Sequence, residues 1–233
     1  TGKRIEDYKS AKDYRDLPTP TEIEDSFQVY AEKHDYAKRK INFTYIPKLP
    51  KARHGVMTHV ITSASKLNQK AKEYGATITE YVLAIIFGIM FDMRKKEGSN
   101  KDINARVPVN LRKFFPSDTV RNFSFYLDVT LKDSVDGGIQ AYVDAVKECF
   151  KEQLNEKYLQ ENVNANMREE RNKFIALVPL ALKDIGLKIT KYIMDNKAVS
   201  MDFSNYGRLN PPKELSEIVD RVEFCLKEPK DSG

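Results

Sequence analysis

Two stretches decide the fold: Ile103-Asn-Ala-Arg-Val-Pro-Val-Asn-Leu111 and Phe123-Ser-Phe-Tyr-Leu-Asp-Val-Thr-Leu131. In the first, Ile103, Ala105, Val107, Val109 and Leu111 share one parity, and Asn104, Arg106, Pro108 and Asn110 take the other. In the second, Phe123, Phe125, Leu127, Val129 and Leu131 alternate with Ser124, Tyr126, Asp128 and Thr130. A period of two is that of a strand with one buried face, so two strands share a core. They are joined by a loop carrying Arg112, Pro116 and Asn122. Such alternation predicts a mixed or antiparallel sheet covered mainly on one side.

Upstream, Gly55 to Thr62 reads as a further strand, followed by a helix on Leu67, Ala71 and Tyr74 that Gly75 stops. Thr77 with Glu80 forms a capping box that starts a helix to about Arg94. Its apolar residues cover nearly every side, which predicts an interior helix. Downstream, Gly137-Gly138 turns the chain into a long helix whose stripe is Ile139, Val143, Val146, Phe150, Leu154 and Tyr158. Residues 160 to 172 are polar enough to continue it in solvent. Phe174 to Ile193 reads as helical with interruptions near Pro179 and Gly186. Val199 to Phe203 reads as a strand, Leu215 to Val219 as a helical turn, and Val222, Phe224 and Leu226 as a last strand. The expected class is α/β in the α+β two-layer sense, a mixed sheet with helices packed on it.

Residues 1–50 are polar and broken by prolines, with a short helix expected from Thr21 through Tyr30, capped by Thr21 and Glu24. They read as a connector from an N-terminal lobe, and residues 51–233 as a C-terminal lobe. The chain opens Thr-Gly-Lys without a methionine, as a fragment would.

A hydrophobic share of 41% with 31% charged residues is that of a globular domain and excludes a disordered chain. The net charge of +5 is spread along the chain without a basic stripe, which argues against nucleic-acid binding. Arg94-Lys95-Lys96 is the cationic end of a helix. No apolar run is long enough to span a bilayer. Cys149 and Cys225 show no ligand spacing and read as reduced structural thiols, so a cytoplasmic location is expected.

Val-Pro-Val-Asn-Leu-Arg112, followed by Arg121-Asn-Phe123, resembles the chloramphenicol-acetyltransferase-like superfamily, which includes condensation domains and alcohol acetyltransferases. The helix, the run Gly75-Ala-Thr77 and the apolar helix after it resemble the same group. The resemblance implies the second lobe of an acyltransferase working on acyl-CoA or an acyl-carrier thioester, with no bound cofactor and no metal. It further implies an N-terminal lobe, a small-molecule alcohol or amine acceptor and an acyl carrier protein as partners. In that superfamily a histidine in H-H-x-x-x-D-G is the general base. The three histidines here, His34, His54 and His59, do not begin H-x-x-x-D, so no catalytic residue is assigned to this chain. His59, expected on a strand, is the best remaining candidate base.

By the same resemblance, Arg112 would hold the histidine loop by pairing with its aspartate. Asn122 and Ser124 would line the substrate tunnel. Ser204-Asn205-Tyr206-Gly207 resembles the family's S/T-N-x-G element, with Ser204 and Asn205 placed to bind substrate and Gly207 structural. Each has a plain reading beside it: a strand-end charge, backbone-satisfying loop groups and a strand-ending turn. Two rival functions are a non-catalytic binding or scaffold module of the same fold and a nucleic-acid-binding protein.

Overall fold

The computed structural model describes residues 17–32, 43–48, 58–170, 178–193, 199–207 and 217–219. Its elements run α1 (Pro20–Ile23), α2 (Ser26–Tyr30), α3 (Ala64–Glu73), α4 (Ile78–Lys96), β1 (Ile103–Asn110), a 3-10 turn at Leu111–Lys113, β2 (Ser124–Leu131), α5 (Gly138–Gln153), α6 (Glu156–Glu170), α7 (Leu180–Ile193) and β3 (Met201–Asp202). Together they are helices combined with a small mixed sheet. The sheet order is β2-β1-β3. β1 and β3 run parallel, Ala105 opposite Met201 and Arg106 opposite Asp202. β1 and β2 run antiparallel: Asn104 Nδ2 reaches Thr130 Oγ1 at 2.8 Å, and Leu111 N–H donates to the Phe123 carbonyl at 3.2 Å.

The chain divides into two compact units, one made of Thr1–Lys38, Val109–Phe125 and Glu156–Ala176, the other of Arg39–Pro108, Tyr126–Asn155 and Leu177–Gly233. In the second unit α4 packs against α3 and α5. The core combines Leu83, Phe87 and Phe91 of α4 with Ile103, Ala105 and Val107 of β1, Val129 of β2, and Val143 and Val146 of α5. Full burial of such side chains is worth ~1.5–3 kcal/mol each. Of the apolar parity, Ile103, Ala105, Val107, Val129 and Leu131 lie in this core, Leu111, Phe123 and Leu127 are buried as well, and Val109 and Phe125 are half-buried. Asn104, on the other parity of β1, is buried as well. Its backbone N–H donates to Ser200 Oγ at 3.1 Å, and its side chain holds Thr130.

Local signals start and stop these helices. Thr77 N–H donates to Glu80 at 2.7 Å, and Glu80 N–H donates to Thr77 Oγ1 at 3.3 Å, closing the capping box of α4. Gly75 ends the preceding turn at φ +64°. Gly137 and Gly138 both take positive φ, +115° and +69°, before α5. A Cβ on Gly137 would sit 3.2 Å from the Ala141 Cβ, so glycine suits that turn on two grounds.

The first unit gathers aromatic side chains from its separate stretches. Phe27 meets Phe123 edge-on at 5.0 Å, and Tyr30 packs on Phe115 at 5.3 Å and stacks on Phe123 at 6.0 Å. α2 also packs on α6.

Several sequence-based expectations are corrected here. Residues 58–62 are irregular and exposed rather than a strand, and residues 55–57 lie outside the described residues. Among the described residues no strand pairs with 58–62, and alternation alone makes no ladder. The helix expected from Thr21 is two short ones: Pro20 occupies the first turn of α1, with Glu22 reaching back to Thr19 N–H at 2.8 Å, and Asp25 caps α2 through Phe27 N–H at 3.1 Å. The long stripe through Tyr158 belongs to two helices, because α5 ends at Gln153 and Leu154 is exposed. Residues 156–170 are not a solvated continuation: Leu159, Asn162, Val163, Asn164, Ala165 and Met167 are buried. α7 passes through Gly186 unbroken. One side of α4 is open, with Ile85 37% and Ile89 54% exposed. Of the expected turn at Leu215 to Val219, residues 217–219 form an exposed turn. The strand expected on Val222, Phe224 and Leu226 lies outside the described residues. Among the described residues no single helix is long and apolar enough to cross a membrane.

Candidate functional site

The residues expected to carry chemistry fall in two places. Arg112, Asn122 and Ser124 belong to the first unit, and Ser204, Asn205 and Gly207 to the second.

In the first, β1 ends at Asn110, whose Oδ1 accepts the Arg112 N–H at 3.1 Å and caps the 3-10 turn. That cap turns the Arg112 side chain back along the loop. Its Nη1 donates to Asn110 Oδ1 at 3.3 Å, and Nη2 donates to the carbonyls of Thr119 and Arg121 at 2.6 and 2.7 Å. The guanidinium also lies 6.0 Å from the Phe123 ring centroid. Three of its five donors are spent on groups of its own loop, leaving Nε and one Nη1 hydrogen for another acceptor. Arg112 is therefore a tie across the loop from Leu111 to Phe123.

Thr119 is the second tie, and it gave no signal in the sequence. It is buried, its Oγ1 lies 3.2 Å from the Glu22 carbonyl and 2.6 Å from that of Glu24, and it accepts the Arg121 N–H at 3.2 Å. Ser26 and Ser117 meet through their hydroxyls at 2.6 Å, and Tyr30 donates its hydroxyl to the Pro116 carbonyl. Where the loop enters β2, Ser124 Oγ donates to Asn122 Oδ1 at 2.7 Å. Asn122 is exposed and Ser124 half-buried, so the pair is open to solvent while each satisfies the other.

In the second place, Asn205 Nδ2 donates to Thr79 Oγ1 in the first turn of α4 at 3.0 Å. Asn205 Oδ1 accepts the Gly207 N–H at 2.8 Å, and Gly207 takes φ +78°. Gly207 is required by that turn, because a Cβ disfavours positive φ. Ser204 is exposed. The turn follows β3, so the parallel pairing with β1 sets its position.

His59 lies exposed in an irregular segment. His34 and His54 lie outside the described residues, as does Cys225. Cys149 is half-buried, its thiol 3.9 Å from the Thr130 carbonyl, and burial pushes its pKa up. Among the described residues no group of three His, Cys, Asp or Glu side chains could hold a metal.

A cleft of about 660 Å³ lies beside the loop after α4, lined by Phe43, Tyr45, Lys48, Glu97, Ser99 and Lys101 among others. None of the residues expected from the sequence borders it. The Tyr45 hydroxyl is buried beside the Glu97 carboxylate, without a well-formed hydrogen bond. Burial raises its pKa, and the Glu97 carboxylate adds to this as a nearby acceptor and through its charge. Comparison with protein-family models, with curated proteins and with solved structures finds no match.

Proposed function

We propose that this chain is the second lobe of an acyltransferase that moves an acyl group from CoA or a carrier thioester to an alcohol or amine. The observation that carries the reading is the Val107–Arg112 strand end followed by Arg121-Asn122-Phe123, folded so that Arg112 ties the intervening loop. In the reaction a histidine in an N-terminal lobe removes the proton of the acceptor hydroxyl or amine. The freed lone pair attacks the thioester carbonyl, an oxyanion forms, and the thiolate leaves as the carbonyl is restored. Exposed Asn122 and Ser204 would supply hydrogen-bond donors along the acyl path, and half-buried Ser124 would line it while orienting Asn122. Arg112 would fix the geometry of the strand entry that carries Asn122 and Ser124. Its remaining Nε–H would be free for a carboxylate of the partner lobe. The thioester is a co-substrate, and a cytoplasmic setting belongs to the same proposal, in keeping with the free thiol of Cys149.

The experiment is an assay of acyl-CoA donors against alcohols and amines, run on this chain alone and on the protein in which an N-terminal H-x-x-x-D lobe precedes it. The expected result is thiol release only with both lobes. Turnover by this chain alone would refute the reading.

One observation favours a second reading, a non-catalytic binding or scaffold lobe of the same fold. Ser124 is paired with Asn122, Asn205 with Thr79, and Arg112 with loop carbonyls, which is how purely structural polar groups behave. Under that reading the two-lobed protein releases no thiol from any donor.

A further inference from the structure

Side chains of α5 close the outer edge of β2. β2 pairs with β1 on one side and, among the described residues, ends the sheet on the other. Because Leu111 N–H bonds the Phe123 carbonyl, odd-numbered residues from Phe123 onward direct their backbone groups at β1. Tyr126, Asp128 and Thr130 therefore direct theirs outward. The Gln153 carboxamide meets that edge in both senses: its Oε1 accepts the Asp128 N–H at 3.0 Å, and its Nε2 donates to the Asp128 carbonyl at 2.9 Å. A residue of a neighbouring antiparallel strand makes the same double exchange. Cys149, one turn earlier on α5, brings its thiol 3.9 Å from the Thr130 carbonyl. Four helical residues rise about 6 Å and two strand residues about 6.8 Å, so positions 149 and 153 of α5 match positions 130 and 128 of β2.

An uncovered edge is a template for another strand. This edge suits a second copy of the chain. Turned about a two-fold axis through Leu127, two β2 edges set Tyr126 of each copy opposite Asp128 of the other, both with outward backbone groups. The Arg106 guanidinium lies 5.5 Å from the Tyr126 ring centroid, so a cation stands beside the incoming carboxylate. The register that sets Asp128 on Asp128 instead brings like charges together. We propose that Gln153 stands in for a missing strand on β2 and so holds off edge-to-edge pairing with a second copy of this chain. Withdrawing the carboxamide opens the edge. The inference is independent of the acyl-transfer reading.

The test combines sedimentation velocity of the whole chain over a range of concentrations with amide hydrogen exchange. In dilute solution Gln153→Ala should speed exchange at Asp128 about fivefold, the equivalent of about 1 kcal/mol for one hydrogen bond. At higher concentration the same variant should self-associate at least about tenfold more tightly than wild type, and its Tyr126 amide should become protected. Gln153→Glu, which loses the donor to the Asp128 carbonyl, should act in the same direction and serves if the alanine variant does not fold. Glu152→Ala, exposed on the same turn, should change neither measurement. Adding Tyr126→Pro to Gln153→Ala removes an outward N–H that the second copy needs, and should return the chain to the wild-type state. Circular dichroism checks that fold; should it be lost, protection of the Tyr126 amide decides alone. Unchanged exchange and association in both Gln153 variants overturn the proposal, and so does faster exchange without association. Association that survives Tyr126→Pro also overturns it, because the contact then lies elsewhere. So does wild-type association that Tyr126→Pro abolishes, because the edge is then already open.

Discussion

Arg106 and Asp202 meet as a two-pronged ion pair across the parallel β1–β3 register, Nε to Oδ1 at 2.8 Å and Nη2 to Oδ2 at 3.1 Å. The guanidinium also lies 5.5 Å from the Tyr126 ring centroid on β2, so Arg106 touches both neighbours of its strand. β3 has only two residues in the ladder, and Phe203 N–H adds one bond to the Arg106 carbonyl at 2.9 Å. Side-chain links therefore contribute much of what attaches β3.

Asp202 is 52% exposed, so solvent screens the pair and its worth is discounted. Asp202→Asn should cost ~0.5–1 kcal/mol, and Arg106→Lys about as much because an ammonium loses the fork. A double-mutant cycle in urea measures the coupling. A coupling energy indistinguishable from zero would show that backbone bonds alone hold β3.

The two sides of α4 predict opposite costs. Phe87 is fully buried, and Phe87→Ala should cost ~3–5 kcal/mol. Ile89, 54% exposed, should cost less than ~1 kcal/mol when changed to Ala. Denaturant midpoints read both. Equal losses would mean that the open side of α4 is covered in solution.

Arg112 gives the sharpest separation of a holding role from a reacting one. Arg112→Ala removes the donors to the Thr119 and Arg121 carbonyls, so amide exchange across the loop from Leu111 to Phe123 should speed up. Arg112→Lys should restore part of the protection. Under the proposed acyl transfer, kcat of the two-lobed protein should fall with Arg112→Ala and recover partly with Lys, while exposed Arg121→Ala serves as control. Equal kcat for the Arg112 and Arg121 alanine variants would confine Arg112 to loop structure.

Alkaline pH should destabilise the second unit. Burial raises the Cys149 thiol and Tyr45 phenol above their ordinary values, so the folded state holds protons that the unfolded chain releases. For such groups the stabilising contribution is complete below the unfolded pKa, near 8.5 for a thiol and 10 for a phenol, and is lost as pH rises through the folded values. Melting temperature should therefore decline above about pH 8.5, and Cys149→Ala should flatten the first part of that decline. An identical pH profile for wild type and variant would rule out the thiol as a contributor.

Under the same proposal, replacing exposed His59 by alanine should leave acyl transfer by the two-lobed protein within a few-fold. A loss on the scale of general-base removal, ~10²-fold or more, would assign the base to this chain.

What the sequence determined by itself was whatever rests on neighbours within a few positions. The alternation at Ile103–Leu111 and Phe123–Leu131, the Thr77–Glu80 cap, the stop at Gly75 and the Gly137-Gly138 turn depend on period, side-chain reach and permitted φ, all local quantities. The positions of Arg112 and Asn122 at the ends of a loop between strands were legible for the same reason. Tertiary structure decided the rest, because burial depends on what arrives from elsewhere in the chain. The polar run in α6 is buried because Asn164 accepts the Glu32 N–H at 2.8 Å and Gln160 donates to the Tyr30 carbonyl at 2.6 Å, partners more than a hundred positions away. Residues 58–62 alternate without pairing, and Ile85 and Ile89 stay open on a helix apolar all round. Only a folded neighbour distinguishes such cases, because hydrogen-bond satisfaction and excluded water belong to the contact rather than to the residue. The Arg106–Asp202 pair and the Thr119 hub were illegible on the same ground: a charge or a hydroxyl in the sequence carries no record of the distant group that will meet it.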